Sequence, residues 1–214
     1  MKLHGYFRSS AAYRVRIALN LKGLAYESVP VHLLRDGGEH LTSNYLKLNP
    51  QGLVPAFEDS GAVLTQSLAI IEYLEETHAE PALLPADPIE RARVRALALA
   101  IACDIHPLNN LRVLNYVSGE MAQGDDSRLA WYRHWTESGL AAVEALVAGH
   151  PMTGTFCHGN KPGYADTCLI PQIANARRFD CDLSACPELV RIDAACNALP
   201  AFLDAAPQSQ PDAE

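Results

Sequence analysis

The sequence predicts a small mixed α/β domain followed by an all-helical domain. Three observations carry this: strand and helix patterns alternate through residues 1–80, Pro81, Pro85 and Pro88 crowd one short stretch, and every periodic segment beyond it has helical spacing. Residues 2–7 and 26–31 read as strands. Between them, residues 12–21 arrange Val15, Ala18, Leu19 and Leu21 around a helix, and Gly23 suits the position just past its end. This is one βαβ unit. Residues 36–38 form a turn, 41–48 a short irregular helix, and 56–58 and 63–65 short strands around a turn at 59–61. Ser67 is expected to cap a helix that runs to about Thr77.

Residues 81–88 are the expected linker between a domain of residues 1–80 and one of residues 89–214. In the second domain, residues 89–117, 127–148, 164–179 and 187–198 carry helical periodicity and no strand stands out. Residues after Ala205, among them Pro207, Gln208, Ser209, Gln210 and Pro211, read as a loose tail. Two-domain plans of this kind often place a site in the cleft between the domains.

Composition narrows the function. The 214 residues are 49% hydrophobic and 20% charged, ordinary for a globular protein. A net charge of −8, from 17 basic and 25 acidic residues, argues against nucleic acid or an anionic membrane as partner, so an anionic substrate requires local arginines. The first residues lack the pattern of a signal peptide and no apolar run reaches about twenty residues, so a cytoplasmic location is expected. The six cysteines lie in the second half without metal-ligand spacing; reduced, mostly buried thiols and no metal site are expected.

Ser9 and Ser10 stand where the first strand gives way to the first helix, beside amides that have no intrahelical acceptor. Such a place stabilises an anion, and a hydroxyl donor at a positive helix end favours a thiolate over a thiol. Gln66 and Ser67 open a second helix whose amides can hold a carboxylate in the same way. With Asn49-Pro50-Gln51-Gly52-Leu53-Val54-Pro55-Ala56 between them, these residues read as a site for a ligand that carries a thiolate and a carboxylate, for which a peptide thiol would fit.

On these motifs, together with Arg14-Val15-Arg16-Ile17-Ala18-Leu19, Ala69-Ile70-Ile71-Glu72-Tyr73-Leu74, Ile105-His106-Pro107-Leu108-Asn109-Asn110-Leu111, Ala165-Asp166, Arg178-Phe179 and Leu199-Pro200-Ala201-Phe202, the chain resembles the zeta class of glutathione transferases over nearly its whole length. The resemblance implies a thioredoxin-like N-terminal domain, an all-α C-terminal domain, glutathione as cofactor, a homodimer, and isomerisation of maleylacetoacetate or maleylpyruvate. Two positions depart from the family pattern. Ala11 replaces the cysteine of the usual Ser-Ser-Cys, so Ser9 inherits the role at that turn; Gly163 replaces a capping Thr or Ser, which weakens the cap of the helix at Tyr164.

The resemblance assigns Ser9 a hydrogen bond to the glutathione sulfur, whereas an isolated Ser there is most often an N-cap. Ser10 and Ala11 contribute backbone groups. It gives Val54 a cis peptide to Pro55 whose main chain pairs with the cysteinyl backbone of glutathione; the residues alone favour trans, since only about 5–6% of X-Pro bonds are cis. Gln66 and Ser67 receive the γ-glutamyl carboxylate, and His40 and Gln51 are candidates for the glycyl end. Asp104, His106 and Asn110 are further cofactor-binding candidates. His106 and Asn110, at i and i+4, share a face provided Pro107 leaves the helix undisturbed, and a satisfied structural histidine is an equal reading.

A small dicarboxylic keto acid calls for guanidinium groups, which bind carboxylates bidentately and stay charged. Arg8, adjoining Ser9, ranks first, then Arg178, then Arg112; Arg14 and Arg16 are read as structural or interfacial. Arg112 and the Asn109-Asn110 pair tilt the choice toward maleylpyruvate. Two rivals remain at this point: a glutathione transferase that conjugates or dehalogenates α-halo acids, and a glutathione-binding module without activity.

Overall fold

The computed structural model describes all 214 residues and separates into two compact units, Met1–Leu83 with Asn197–Glu214, and Leu84–Cys196. The first unit begins with β1 (Lys2–Gly5), α1 (Ser10–Leu21) and β2 (Glu27–Pro30), where β1 and β2 pair in parallel with Leu3 opposite Ser28. It continues through α2 (Ser43–Leu48), β3 (Ala56–Asp59), β4 (Ala62–Thr65) and α3 (Ser67–Thr77). β3 runs antiparallel to both β1 and β4, so the four strands lie in the order β2-β1-β3-β4. This is the thioredoxin-like arrangement expected, with strand ends that differ from the expected ones by at most two residues.

α1 is buried almost all round. Val15, Ile17, Ala18 and Leu19 are fully inaccessible, and so nearly are Arg14 and Arg16. A helix without a polar face needs cover on more than one side. α1 packs on β1 and α3, and additionally on α9 (Pro200–Leu203), which lies in the C-terminal segment. Gly5 permits the close approach: a Cβ there would stand 3.0 Å from that of Ala12.

Buried cations require acceptors. Arg16 donates from Nε to Ala205 O at 2.8 Å and from Nη2 to Phe7 O at 3.0 Å, and burial lowers its pKa to about 10. Tyr13 Oη reaches Phe202 O at 3.4 Å and Asn20 Nδ2 reaches Ala201 O at 3.0 Å. The stretch beyond Ala205, expected as a loose tail of the helical domain, therefore belongs with the α/β unit. Its ordering passes through main-chain carbonyls, which leave no mark in side-chain composition.

The second unit contains α4 (Pro88–Leu99), α5 (Leu111–Ser118), α6 (Gly124–Val147), α7 (Tyr164–Arg178) and α8 (Pro187–Cys196). Asp87 caps α4, accepting from Ile89 and Glu90 amides at 2.9 and 3.0 Å, with Pro88 in the first turn where its missing N–H is no loss. The expected continuous helix of residues 89–117 is broken. A π-turn over Ala100–Ile105 and a 3₁₀ turn over His106–Asn109 intervene, and Asn110 is extended and caps α5 through Oδ1 to the Arg112 amide at 3.1 Å. Pro107 lacks the donor that would carry the helix on. Gly139 in α6 makes room for this irregular segment, since a Cβ there would lie 2.4 Å from Ile105 Cγ1.

Gly163 does stand at the N-cap of α7, but the weakness expected of it is made good by Asp166. That fully buried carboxylate accepts from the Gly163 amide at 2.8 Å and the Cys157 amide at 2.9 Å. Burial pushes its pKa up, partly offset by these amides. All six cysteines are free, and burial pushes the thiols of Cys157, Cys181, Cys186 and Cys196 up, which keeps them protonated and unreactive.

Candidate active site

Ser9 is the N-cap of α1. Its backbone is extended and its Oγ accepts from the Ala12 amide at 3.2 Å. The cap uses an oxygen lone pair and not the hydroxyl proton, so capping and donation to an anion are compatible in one side chain. Ser10 and Ala11 occupy the first turn, where a helix has no preceding carbonyl to receive its amides. α4, α6, α7 and α8 carry acidic residues in their first turns, whereas α1 and α3, like α5, carry none. The positive ends of α1 and α3 are thus not neutralised from within the helix. Arg8 adds a cation next to Ser9, half-buried with its guanidinium 4.7 Å from the centre of the Phe7 ring.

At the start of α3, Gln66 has φ 70° and ψ 112°, a conformation that costs a non-glycine residue about 1–3 kcal/mol. Strain of this kind is kept where the exact aim of a backbone matters. The expectation that Ser67 caps α3 is corrected: Gln66 is the cap residue and Ser67 the first residue of the helix, with its Oγ taken by buried Arg14 Nη1 at 3.3 Å. Gln66 Nε2 donates to Gln51 Oε1 at 2.9 Å, which brings these two candidates together. The loop bearing Gln51 is shaped by Asn49, only 2% exposed, whose Nδ2 donates to Leu53 O at 2.7 Å while Oδ1 accepts from the Gln51 amide at 3.1 Å. Val54–Pro55 is cis, as the resemblance implied. His40 sits in a 3₁₀ turn over Glu39–Leu41, half-buried, and burial lowers its pKa below the ordinary imidazole value so that the ring is neutral at neutral pH.

The remaining candidates lie in the helical unit. Asp104 is exposed in the π-turn, and His106 is half-buried in the 3₁₀ turn that follows. The premise that His106 and Asn110 share a helical face fails, because the helix is interrupted between them and the Asn110 side chain is committed to capping α5. Arg112 is exposed in the first turn of α5. Arg178 ends α7, exposed, with its guanidinium 5.1 Å from the centre of the Phe179 ring, which in turn stacks on Tyr132 at 3.9 Å.

Comparison with known proteins places this geometry. Residues 3–82 match the family model for the glutathione S-transferase N-terminal domain. A maleylacetoacetate isomerase of Rhizobium meliloti is 54% identical over 205 residues, covering 96% of this chain and 95% of its own. The holo structure of a maleylpyruvate isomerase, a bacterial glutathione S-transferase in the zeta class, is 48% identical with TM-score 0.97, covering all of both chains. The chain belongs to the zeta-class glutathione transferases. A maleylacetoacetate isomerase of this family from Anaeromyxobacter dehalogenans, 43% identical with TM-score 0.86 over all of this chain and 97% of its own, was solved with dicarboxyethyl glutathione and citrate bound in its active site.

For a zeta-class chain, the residues that the motifs did not single out are the supporting ones. Asn49 was quoted within its motif without a role, and its burial is what shapes the Gln51 loop. Arg14 and Arg16, read from the sequence as structural or interfacial, are buried on the mostly apolar α1, where Arg14 reaches Ser67 Oγ and Arg16 the carbonyls of Phe7 and Ala205.

Proposed function

We propose that this protein is a glutathione-dependent cis–trans isomerase that converts a maleyl keto acid, maleylpyruvate or maleylacetoacetate, to its fumaryl isomer. The observation that carries the proposal is Ser9, capping α1 with a lone pair while its proton remains available to an anion, beside Arg8 and a helix end free of acidic residues. Full-length relatives bearing both isomerase names support the same reading. The residues present suit the cofactor: a helix start with a hydroxyl donor for sulfur, and a strained Gln66 aiming the first amides of α3 for a carboxylate.

When bound, glutathione supplies a sulfur nucleophile that adds reversibly to the activated double bond, allowing rotation, and is released unchanged. A glutathione bearing a dicarboxyethyl group, as in the Anaeromyxobacter structure, is the product expected of a thiol and a butenedioate. Ser9 Oγ holds its own proton throughout and donates a hydrogen bond, favouring thiolate over thiol. Gln66, Ser67, Gln51, His40 and the main chain of Val54 orient the tripeptide, with Ser10 and Ala11 adding first-turn amides. Arg8 takes one substrate carboxylate. Arg178 and Arg112 are assigned the other on their chemistry, and Asp104, His106 and Asn110 are assigned to the cofactor on the family resemblance. A cytoplasmic homodimer is part of the same proposal; no helix is long and apolar enough to cross a membrane.

The test is incubation with glutathione and each acid in competition. Fumaryl product with total thiol unchanged supports isomerisation. Stoichiometric loss of thiol, halide release from α-halo acids alone, or glutathione binding without turnover would each replace it with a rival activity.

A further inference from the structure

The turn that presents Arg8 and Ser9 does not hold itself. The Ser9 amide donates to Tyr6 O at 2.9 Å, closing a four-residue turn with Phe7 and Arg8 at its centre. A turn of this form pairs its outer groups and leaves the peptide groups of its central residues to find partners elsewhere. For Phe7 both come from side chains. Its N–H donates to Asp212 Oδ2 at 3.0 Å, across 205 positions of sequence, and its C=O accepts from Arg16 Nη2 at 3.0 Å.

Both partners are tied to the C-terminal segment. Asp212 lies on it, and Arg16, 3% exposed, donates its Nε to Ala205 O at 2.8 Å. The segment is itself ordered: Gln210 Nε2 donates to Asp204 O at 2.8 Å and Ala206 O at 3.0 Å, and Ser209 Oγ to Leu203 O at 2.8 Å. Two residues past Asp212, Glu214 Oε1 meets Arg35 Nη2 at 3.0 Å and His32 Nε2 at 3.3 Å, tethering the loop that leads into His40. The Phe7 ring carries the Arg8 guanidinium, so a rotation of the Phe7 peptide displaces Arg8 directly and Ser9 through the next bond.

We propose that Asp212 is a positioning residue for the isomerase reaction: by fixing the Phe7 amide it aims the Ser9 hydroxyl and the Arg8 guanidinium. This rests on the reaction proposed above. A displacement of about 1 Å in a reacting group is enough to cost on the order of a hundredfold in rate, and the contact that prevents it is a single part-buried hydrogen bond from the Phe7 amide to Asp212.

The test compares Asp212→Ala with Asp212→Asn in the full chain. Asparagine keeps a side-chain carbonyl for the Phe7 amide, and alanine keeps nothing. Three quantities are read: hydrogen exchange of the Phe7 amide in the ligand-free protein, the thiol pKa of bound glutathione from thiolate absorbance, and steady-state isomerisation. For Asp212→Ala we expect about tenfold faster exchange at Phe7. The thiol pKa should rise by about one unit, which is about tenfold less thiolate at a given pH, and kcat should fall about ten- to a hundredfold. The glutathione dissociation constant, measured at a pH below the bound thiol pKa where the thiolate makes no contribution, should stay within about threefold, because the α3 contacts are untouched. Asp212→Asn should recover most of each change. Wild-type thiol pKa and kcat in Asp212→Ala, or Asp212→Asn as impaired as alanine, overturns the positioning role. If Asp212→Ala does not fold, Asp212→Asn decides: a Phe7 amide that loses protection while the thiol pKa stays at the wild-type value overturns it equally. A wild-type protein that neither binds glutathione nor isomerises refutes the reaction and this role with it, an outcome separable from failure of the variants alone.

Discussion

Replacing Lys22 with methionine should unfold the α/β unit at a much lower temperature. The Lys22 ammonium is completely buried and spends its donors on Glu75 Oε2 at 2.7 Å, His78 O at 2.7 Å and Pro81 O at 3.0 Å. It thereby ties the C-terminal end of α1 to the chain that leaves α3. Methionine fills much of the same space without a donor, taking the cation from a carboxylate that is only 12% exposed and the donor from two carbonyls. Removing one partner of a buried ion pair costs about 3–5 kcal/mol. At about 2–4 °C per kcal/mol for a chain of this size, the loss is about 6–20 °C in Tm. Glu75 retains the Leu83 amide, 3.0 Å from each oxygen, which favours the lower part of that range. Scanning calorimetry of Lys22→Met, Glu75→Met and the double variant forms a cycle. The double variant should recover part of the loss, because no lone charge remains, but not all, because the two carbonyls and the Leu83 amide stay unpaired at about 1–3 kcal/mol each. A single variant within about 2 °C of wild type, or strictly additive effects, would refute the reasoning.

Arg8→Met should raise KM for the keto diacid about ten- to a hundredfold, the worth of a charge-assisted bidentate contact, with glutathione affinity nearly unchanged; a selective loss of glutathione binding would reassign Arg8. Asn49→Ala removes two side-chain hydrogen bonds, although Leu53 O keeps the Tyr45 hydroxyl at 2.7 Å; at about 0.5–1.5 kcal/mol each this should lower Tm by about 2–12 °C and weaken glutathione binding through the Gln51 loop, and intact binding in a melted-down variant would separate the loop from the cofactor. His40 contributes a pH dependence whose sign follows from its lowered pKa: the unfolded chain takes up a proton near the ordinary value of 6.5 while the folded ring resists it. The stability it confers is full above that value and is lost as pH falls through the window below it. His40→Gln should flatten the fall in Tm between about pH 7.5 and 5, and parallel wild-type and variant curves would contradict this assignment.

The fold class, a mixed α/β start followed by helices, was legible because hydrophobic period survives in the residues themselves. The βαβ unit and the helical second half follow from local pattern, while the helix starts lie a residue or two from where the pattern put them: α1 begins at Ser10 rather than residue 12, and Gln66 rather than Ser67 caps α3. What escaped is what depends on partners remote in sequence. The segment after Ala205 looks unstructured because its anchors are carbonyls met by Arg16 and one carboxylate met by the Phe7 amide. The break at Pro107 was visible as a proline, yet the Asn110 cap that restarts the helix gained meaning only once the break was placed. Motif order put Ser9, Gln51 and Gln66 forward as candidates, and the structure joins the last two by a hydrogen bond, whereas the Gln66 backbone strain and the Asn49 brace are properties of three-dimensional closure.

The most direct measurement is a pH titration of thiolate absorbance for glutathione bound to wild-type protein and to Ser9→Ala. The account predicts a wild-type thiol pKa clearly below that of free glutathione and a return toward the free value in Ser9→Ala, with turnover falling in step. Equal thiol pKa values in the two proteins, at equal rates, would contradict it.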